Sequence, residues 1–279
     1  MIIRPATIKD AIFQHSVLCQ TFLPYRNPGD EINSWVQTQG RVSLGIQATQ
    51  ILNKDGKFEF VGLPYGIKAR LILAHINSQA IKAGDKTLDV EKSMSAFIKS
   101  MGLTPDTRTM TEVKEQLRRI TTSMISLGYT DGDRTMQVNF QIVKAFDTYF
   151  PKEGNKRLAW TSTIQLTDDY FNSLMTHAIP LDERALQALS HNAMALDVYA
   201  WLAQRLHRVQ DSSFVSWQNL KDQFGQGYKD MFKFKEIFRK TLQIVRTQYP
   251  TAKLTEDSNK GFYLYPSPTP IPQKPIFLK

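Results

Sequence analysis

The chain has a single cysteine in 279 residues, Cys19, so neither an intramolecular disulfide nor a paired-cysteine zinc or redox motif can form. That usage points to a reducing, cytoplasmic setting, with Cys19 an ordinary small apolar residue. Long apolar runs are missing too. No segment approaches the ~18 uninterrupted apolar residues of a membrane span. The opening MIIRPATIKD meets polar residues too early for a signal peptide. Neither membrane insertion nor secretion is expected. Histidine is scarce, and His15, His75, His177, His191 and His207 stand singly. There is no HExxH, no GxSxG and no GxxxxGK[ST]; Gly84-Asp85-Lys86-Thr87 has the Lys-Thr ending but lacks the first glycine. A nickase would need two close metal-binding histidines and a nucleophilic tyrosine; the ten tyrosines are there, the histidine pair is not. The chain therefore reads as a non-enzyme with no cofactor and no metal.

What is present is an ample core and an excess of positive charge. Apolar residues make up 42% and aromatics 11%, with 16 Phe, enough to exclude wholesale disorder. Thirty-five Lys/Arg against 26 Asp/Glu leave +9, which favours polyanionic partners such as nucleic acid or an anionic membrane surface.

Periodicity then divides the chain. Residues 1–61 carry a helix expected around Thr7–Gln20. Strand-like surroundings come next at Ile46, Ile51, Phe58 and Phe60, with a turn at Lys54–Lys57, forming a small β-rich N-terminal element packed on the rest of the chain. From Gly66 to Gly84 the spacing of Ile67, Leu71, Ala74 and Ile81 predicts a helix. A strand at Lys86–Val90 and a helix at Glu91–Met101 come after it. A third helix has Thr107 or Thr109 as cap and an apolar stripe of Met110, Val113, Leu117, Ile120, Met124 and Leu127. Strands around Met136–Val143 and Leu158–Leu166 flank a basic loop with Lys152, Lys156 and Arg157. Past Pro180 the same order recurs: helices Asp182–Leu189 and Ala193–Val209, strand Phe214–Trp217, helices Trp217–Phe224 and Lys229–Gln248, then a hairpin around Thr255–Lys260. Helix, strand, helix, turn, helix, hairpin is the order of a winged helix-turn-helix. The expected fold is α+β, mostly helical: tandem winged helix-turn-helix domains at 62–169 and 170–265, without a flexible linker. A proline-rich extended tail occupies 266–279.

The third helix of each unit is where charge meets that order. Around Lys229–Gln248, Phe234, Phe238, Leu242, Val245 and Tyr249 share one face. Lys229, Lys233 and Lys240 lie opposite, with Lys235, Arg239 and Arg246 on a flank. Residues 205–262 hold eleven Lys/Arg and six Asp/Glu, a surplus of five out of the chain's nine. Such a face suits phosphate and base contact, with Arg239 as the fork for guanine and Lys260 reaching out from the wing. An ordinary solvated face fits the same charges, and Glu236 in its middle favours that alternative. On the earlier helix, Arg108, Lys114, Arg118 and Arg119 fit either DNA contact or ion pairs with Glu112 and Glu115. Phe232, between Lys229 and Lys233, reads as packing.

Several stretches together resemble the RepA-type initiators of plasmid replication. They are Leu63-Pro64-Tyr65-Gly66 with Arg70, IPLDERALQAL (Ile179–Leu189), ALDVYAWLAQRLH (Ala195–His207), SWQNLKDQFG (Ser216–Gly225), FKEIFRKTLQIVRTQYP (Phe234–Pro250) and the proline-rich tail. The resemblance covers roughly Gly62 to Pro275. It implies a bacterial protein that binds repeated double-stranded sites (iterons) at an origin. It further implies opening of an AT-rich segment, recruitment of the host initiator and helicase, and dimerisation to shut initiation off. A repressor or partition protein built from the same modules is the competing reading.

Overall fold

The computed structural model describes residues 4–29, 31–52, 55–89, 93–149 and 160–272. The N-terminal part runs β1 (Ala11–His15), β2 (Ser34–Gln39), β3 (Val42–Gln47), β4 (Gln50–Leu52) and β5 (Phe58–Phe60). A first unit comes next: α1 (Gly66–Ala83), β6 (Thr87–Asp89), α2 (Met94–Ser100), α3 (Thr107–Thr122), β7 (Met124–Asp131), β8 (Arg134–Gln141), β9 (Val143–Tyr149) and β10 (Trp160–Leu166). Then come α4 (Asp168–His177), β11 (Ala178–Asp182) and α5 (Glu183–Ala188). A second unit closes the fold with α6 (Ala193–Leu206), β12 (Ser213–Ser216), α7 (Trp217–Phe224), α8 (Met231–Gln248), β13 (Leu254–Asp257) and β14 (Gly261–Leu264). The class is α+β. Helices hold fewer than half of the described residues, so the expected helical majority is not realised. Lys54, Val90, Glu91, the loop residues Lys152, Lys156, Arg157 and Leu158, and the tail beyond Pro272 lie outside the described residues.

The two units repeat one topology. In the first, the sheet order is β6-β10-β9; in the second it is β12-β14-β13. In both, the strand after the first helix pairs antiparallel with the last strand, which lies in the middle. Helix starts obey local chemistry. Ser216 and Asp230 cap α7 and α8 by accepting backbone N–H groups of the first turn. Asp106 caps α3, accepting from the Thr109 N–H at 2.7 Å, where Thr107 or Thr109 was expected.

Two sequence expectations are overturned, each by long-range pairing. The segment Thr7–Gln20 is not a helix. Its centre is β1, flanked by single 3-10 turns, because it pairs antiparallel with β11 from Ala11↔Asp182 to His15↔Ala178. Nor does the third helix run on to Leu127. It stops at Thr122, where the Thr121, Thr122 and Ser123 hydroxyls bond back to the Arg118 and Arg119 carbonyls. Met124–Asp131 instead pairs with β3. The period of two then buries Ile125, keeps Leu127 packed on the core and turns Met124, a member of the expected helical stripe, outward. Through this pairing β2-β3-β7-β8 form one antiparallel sheet, so strand hydrogen bonding joins the N-terminal element to the first unit across residues 61 and 62.

The core is continuous across these units. At its centre, the first helices of the two units, α1 and α6, are tied by a buried ion pair. Arg70 donates from Nε and Nη2 to the two carboxylate oxygens of Asp197 at 2.7 and 2.8 Å. Its remaining donors reach the carbonyls of Leu23, Pro24 and Gly66, and its guanidinium lies 5.1 Å from the Tyr25 ring centroid. A second, glutamine-rich seam joins the N-terminal segment to α7. Gln37 donates to the Gln223 carbonyl at 2.7 Å, and Gln223 donates to the Gln20 carbonyl at 2.8 Å. The extended tail packs on the body through buried Ile271 and a Tyr249 hydroxyl bond to the Pro268 carbonyl.

Removing one member of the buried pair strands a charge, so Asp197→Ala is expected to cost about 3–5 kcal/mol in a denaturant titration. Acid should also destabilise the fold through two buried histidines. Burial lowers both His15 and His75 to about 4. Below an ordinary pKa of about 6.5 the unfolded chain takes up protons that the folded imidazoles refuse. Stability should therefore fall as pH drops from about 6.5 to about 4, by roughly 3 kcal/mol per histidine. The slope of unfolding free energy over that window, compared with those of His15→Asn and His75→Asn, checks this. Unchanged slopes in both variants would assign the acid response to other groups.

Candidate nucleic-acid interface

The helix α8 has the two faces that its spacing predicts. Phe234, Phe238, Leu242 and Val245 are buried. Phe234 and Phe238 meet Trp217, whose ring centroid lies 5.9 Å from Phe238 and 5.1 Å from Phe262 of β14, both edge-on. These contacts fix α8 against α7 and the β12-β14-β13 sheet. Gly261 allows the close approach, since a Cβ there would fall 2.0 Å from the Val215 carbonyl oxygen.

The outward side is charged, but much of its charge is paired. Lys233 and Lys240 both bind Glu236, at 2.9 and 2.7 Å. Hydrogen bonds from Lys240 and Lys233 hold the Glu236 carboxyl down at about 2. Arg239 donates from Nε and Nη2 to one oxygen of Glu256 on β13, at 2.9 and 2.7 Å. Its guanidinium also stacks 5.0 Å from the Trp217 centroid, on which Lys235 lies at 5.1 Å. Arg239 and Lys235 thus brace α8 against the hairpin, and the fork expected to read guanine is already engaged. Lys229 and Arg246 are exposed. Lys260 is exposed in the tight turn between β13 and β14, where its carbonyl accepts the Trp217 N–H at 2.9 Å.

The residues expected on α3 are divided. Arg108 is exposed and pairs with Glu112 at 2.8 Å. Lys114 is half-buried, and burial lowers its pKa. Arg118 binds Glu59 of β5. Arg119 is a correction: its side chain is turned inward, 6% exposed, and cannot reach a phosphate. Nε donates to Glu115 at 2.7 Å and Nη1 to the Leu63 carbonyl at 3.0 Å, and the guanidinium stacks 5.1 Å from the Tyr65 centroid. Gly62, at φ 72°, makes room for it, because a Cβ would lie 2.8 Å from Nη1. Arg119 thus anchors α3 to the Leu63–Gly66 entry of α1.

One feature of α8 departs from its expected role. Phe232 is 78% exposed rather than packed. The signal was available in the sequence, since it lies two residues, or about 200°, from the inward Phe234. Among the described residues no group of three His, Cys, Asp or Glu could hold a metal. Among them also, no helix is long and apolar enough to cross a membrane.

Two units with the same three-stranded sheet order, each with basic residues on its third helix, are thus in place. The chain belongs to the family of plasmid-encoded RepA proteins, whose model matches residues 63–219, more than half of its length. It is thus a replication initiator of the RepA type. The match begins at the Leu63-Pro64-Tyr65-Gly66 motif, includes Arg70 and Asp197, and ends within α7, short of α8 and the last hairpin. Two crystal structures are similar in fold. One, of selenomethionine derivatives of domains 2 and 3 of RctB, aligns with a TM-score of 0.56 at 10% identity, over 89% of this chain and 95% of that one. Another, of RctB domains 2–3, aligns at 0.51 and 9% identity with the same coverage. Among curated proteins, none matches in sequence.

The two faces of α8 should separate in experiment. Phe238→Ala opens a cavity beside Trp217 and is expected to cost about 3–5 kcal/mol. Lys229→Ala and Arg246→Ala should melt with the parent, because neither exposed side chain supports the core. Thermal unfolding of the three purified variants checks this; a low-melting Lys229→Ala or Arg246→Ala would place these side chains in the folding core.

Proposed function

We propose that the chain initiates plasmid replication by binding repeated double-stranded sites at an origin through two winged helix-turn-helix domains. The domains are residues 62–169 and 170–265, with α3 and α8 as the groove-facing helices. The observation that carries this reading is the repetition itself: apart from the β7-β8 hairpin, which follows α3 and pairs with the N-terminal strands, α1-β6-α2-α3-β9-β10 and α6-β12-α7-α8-β13-β14 share one order and one sheet topology. Family membership supports the initiator role over that of a repressor or partition protein.

The physical steps derive from the charges. Lys229, Arg246 and Lys260, with Lys233 and Lys240 once Glu236 is outcompeted by phosphate, neutralise the backbone and release counterions. Side chains of the first turns of α8 read base edges in the major groove. The Arg70–Asp197 tie holds the two domains in one orientation, so binding of the first places the second at high effective concentration. Strain on the bound array then favours opening of an adjacent AT-rich tract, whose flexible steps deform cheaply. In this reading the chain acts in the cytoplasm, uses no cofactor and performs no bond chemistry of its own. The host initiator and helicase assemble on the opened site, and dimerisation withdraws the protein from it.

Footprinting on the DNA beside its own gene should protect repeated sites. With ~6–10 phosphate contacts, affinity should fall about 10³–10⁵-fold between 50 and 200 mM salt. Each of Lys229→Ala and Arg246→Ala should lower the salt slope by roughly one unit. The gene with its flanking repeats should maintain a plasmid that otherwise cannot replicate. Protection without maintenance would favour a repressor, and a flat salt response would remove the basic faces from the contact surface.

A further inference from the structure

The ring of Phe232 stands out on a helix whose other phenylalanines are in the core. It occupies the second position of α8, 78% exposed, while Phe234 and Phe238 of the same helix are fully buried. It is not on a floppy segment. Asp230 caps the helix by accepting the N–H groups of both Phe232 and Lys233, so the ring is carried by a rigid first turn. The other exposed aromatics of this unit, Phe214 and Tyr263, stack on each other with centroids 5.0 Å apart. Phe232 has no ring partner among the described residues. In the sequence it lies between two exposed lysines, Lys229 just before the helix and Lys233, which pairs with Glu236.

An exposed apolar ring on a turn that also carries exposed lysines is matched by a surface that is negative at its rims and apolar between them. The major groove at a thymine is such a surface: phosphates line its edges and the 5-methyl group projects from its floor. The N-terminal residues of a recognition helix are those that meet base edges. We infer that Phe232 is a specificity-determining residue that packs on thymine methyl groups, flanked by phosphate contacts from Lys229 and Lys233. This rests on the reading of α8 as the groove-facing helix and adds to it the base that the helix selects. The ring offers no hydrogen bond, so discrimination comes from burial of the methyl alone.

The test uses the full chain and a pool of duplexes with random cores of about 20 base pairs, long enough for two helical turns. The duplex most enriched by the parent is then remade with each thymine in turn replaced by deoxyuridine, which removes only the methyl. At one or two positions the parent should bind the deoxyuridine duplex roughly fourfold more weakly, the factor that burial of one methyl supplies. Phe232→Ala, which should melt like the parent, is expected to bind the thymine and deoxyuridine duplexes equally well. Phe232→Ala retaining the parent's discrimination, or a parent indifferent to every thymine methyl, overturns the inference. Lys229→Ala and Arg246→Ala, measured on the same duplexes, report on α8 separately. If they weaken binding to all sequences while Phe232→Ala keeps the parent's discrimination, α8 faces the DNA and thymine reading is wrong. If neither they nor Phe232→Ala alter binding, α8 is not the interface, the inference falls with that reading, and the exposed ring belongs to a protein contact.

Discussion

The pairing of Arg70 with Asp197 decides how the rest of the molecule is arranged. Each charge alone would be costly in the core, so both are retained only while α1 and α6 stay in register. The guanidinium also collects the carbonyls of Leu23, Pro24 and Gly66. The chain entering from the N-terminus, the start of α1 and the middle of α6 therefore meet at one side chain. Displacing any of them leaves buried polar groups unpaired, which makes the joint between the units stiff. Two of the stretches that carry the resemblance to RepA proteins, the one with Arg70 and the one with Asp197, are joined here, and their role is architectural.

Around that joint the aromatic residues orient the second unit. Trp217 begins α7, contacts Phe238 of α8 and Phe262 of β14 edge-on, and lies beneath Lys235 and Arg239. One indole thereby sets the angle of the basic helix to its hairpin, and Arg239 repeats the connection through Glu256. Positive charge on α8 is thus of two kinds. Lys235 and Arg239 are structural, whereas Lys229 and Arg246 are exposed. Lys233 and Lys240 stand between, shared with a carboxylate that a phosphate can replace at small cost, since exposed pairs are weak.

Much of this was legible in the sequence because it depends on short-range periodicity. The inward face of α8, the start of α7 at Trp217, the end of α1 at Gly84 and the repeated element order come from 3.6-residue spacing, capping residues and turn formers. Those are properties of ten or twenty consecutive residues. The outward placement of Phe232 is equally local, set by its offset of two helical positions from the inward Phe234.

Tertiary structure alone decided whatever depends on a partner far along the chain. Residues 11–15 are a strand because residues 178–182 are there to pair with them. Met124–Asp131 leaves the helical period for the strand period because β3 offers a ladder. Arg119 carries the same charge and sits on the same helix as Arg108, yet one is buried against Leu63 and Tyr65 and the other is exposed. No window of sequence distinguishes them. The sequence by itself determined the amphipathic helices of the two units, where the surplus charge lies and which family the motifs evoke; the fold determined which of those charges are available, because a charge such as Arg119 is taken up by contacts with residues far along the chain that no local spacing shows.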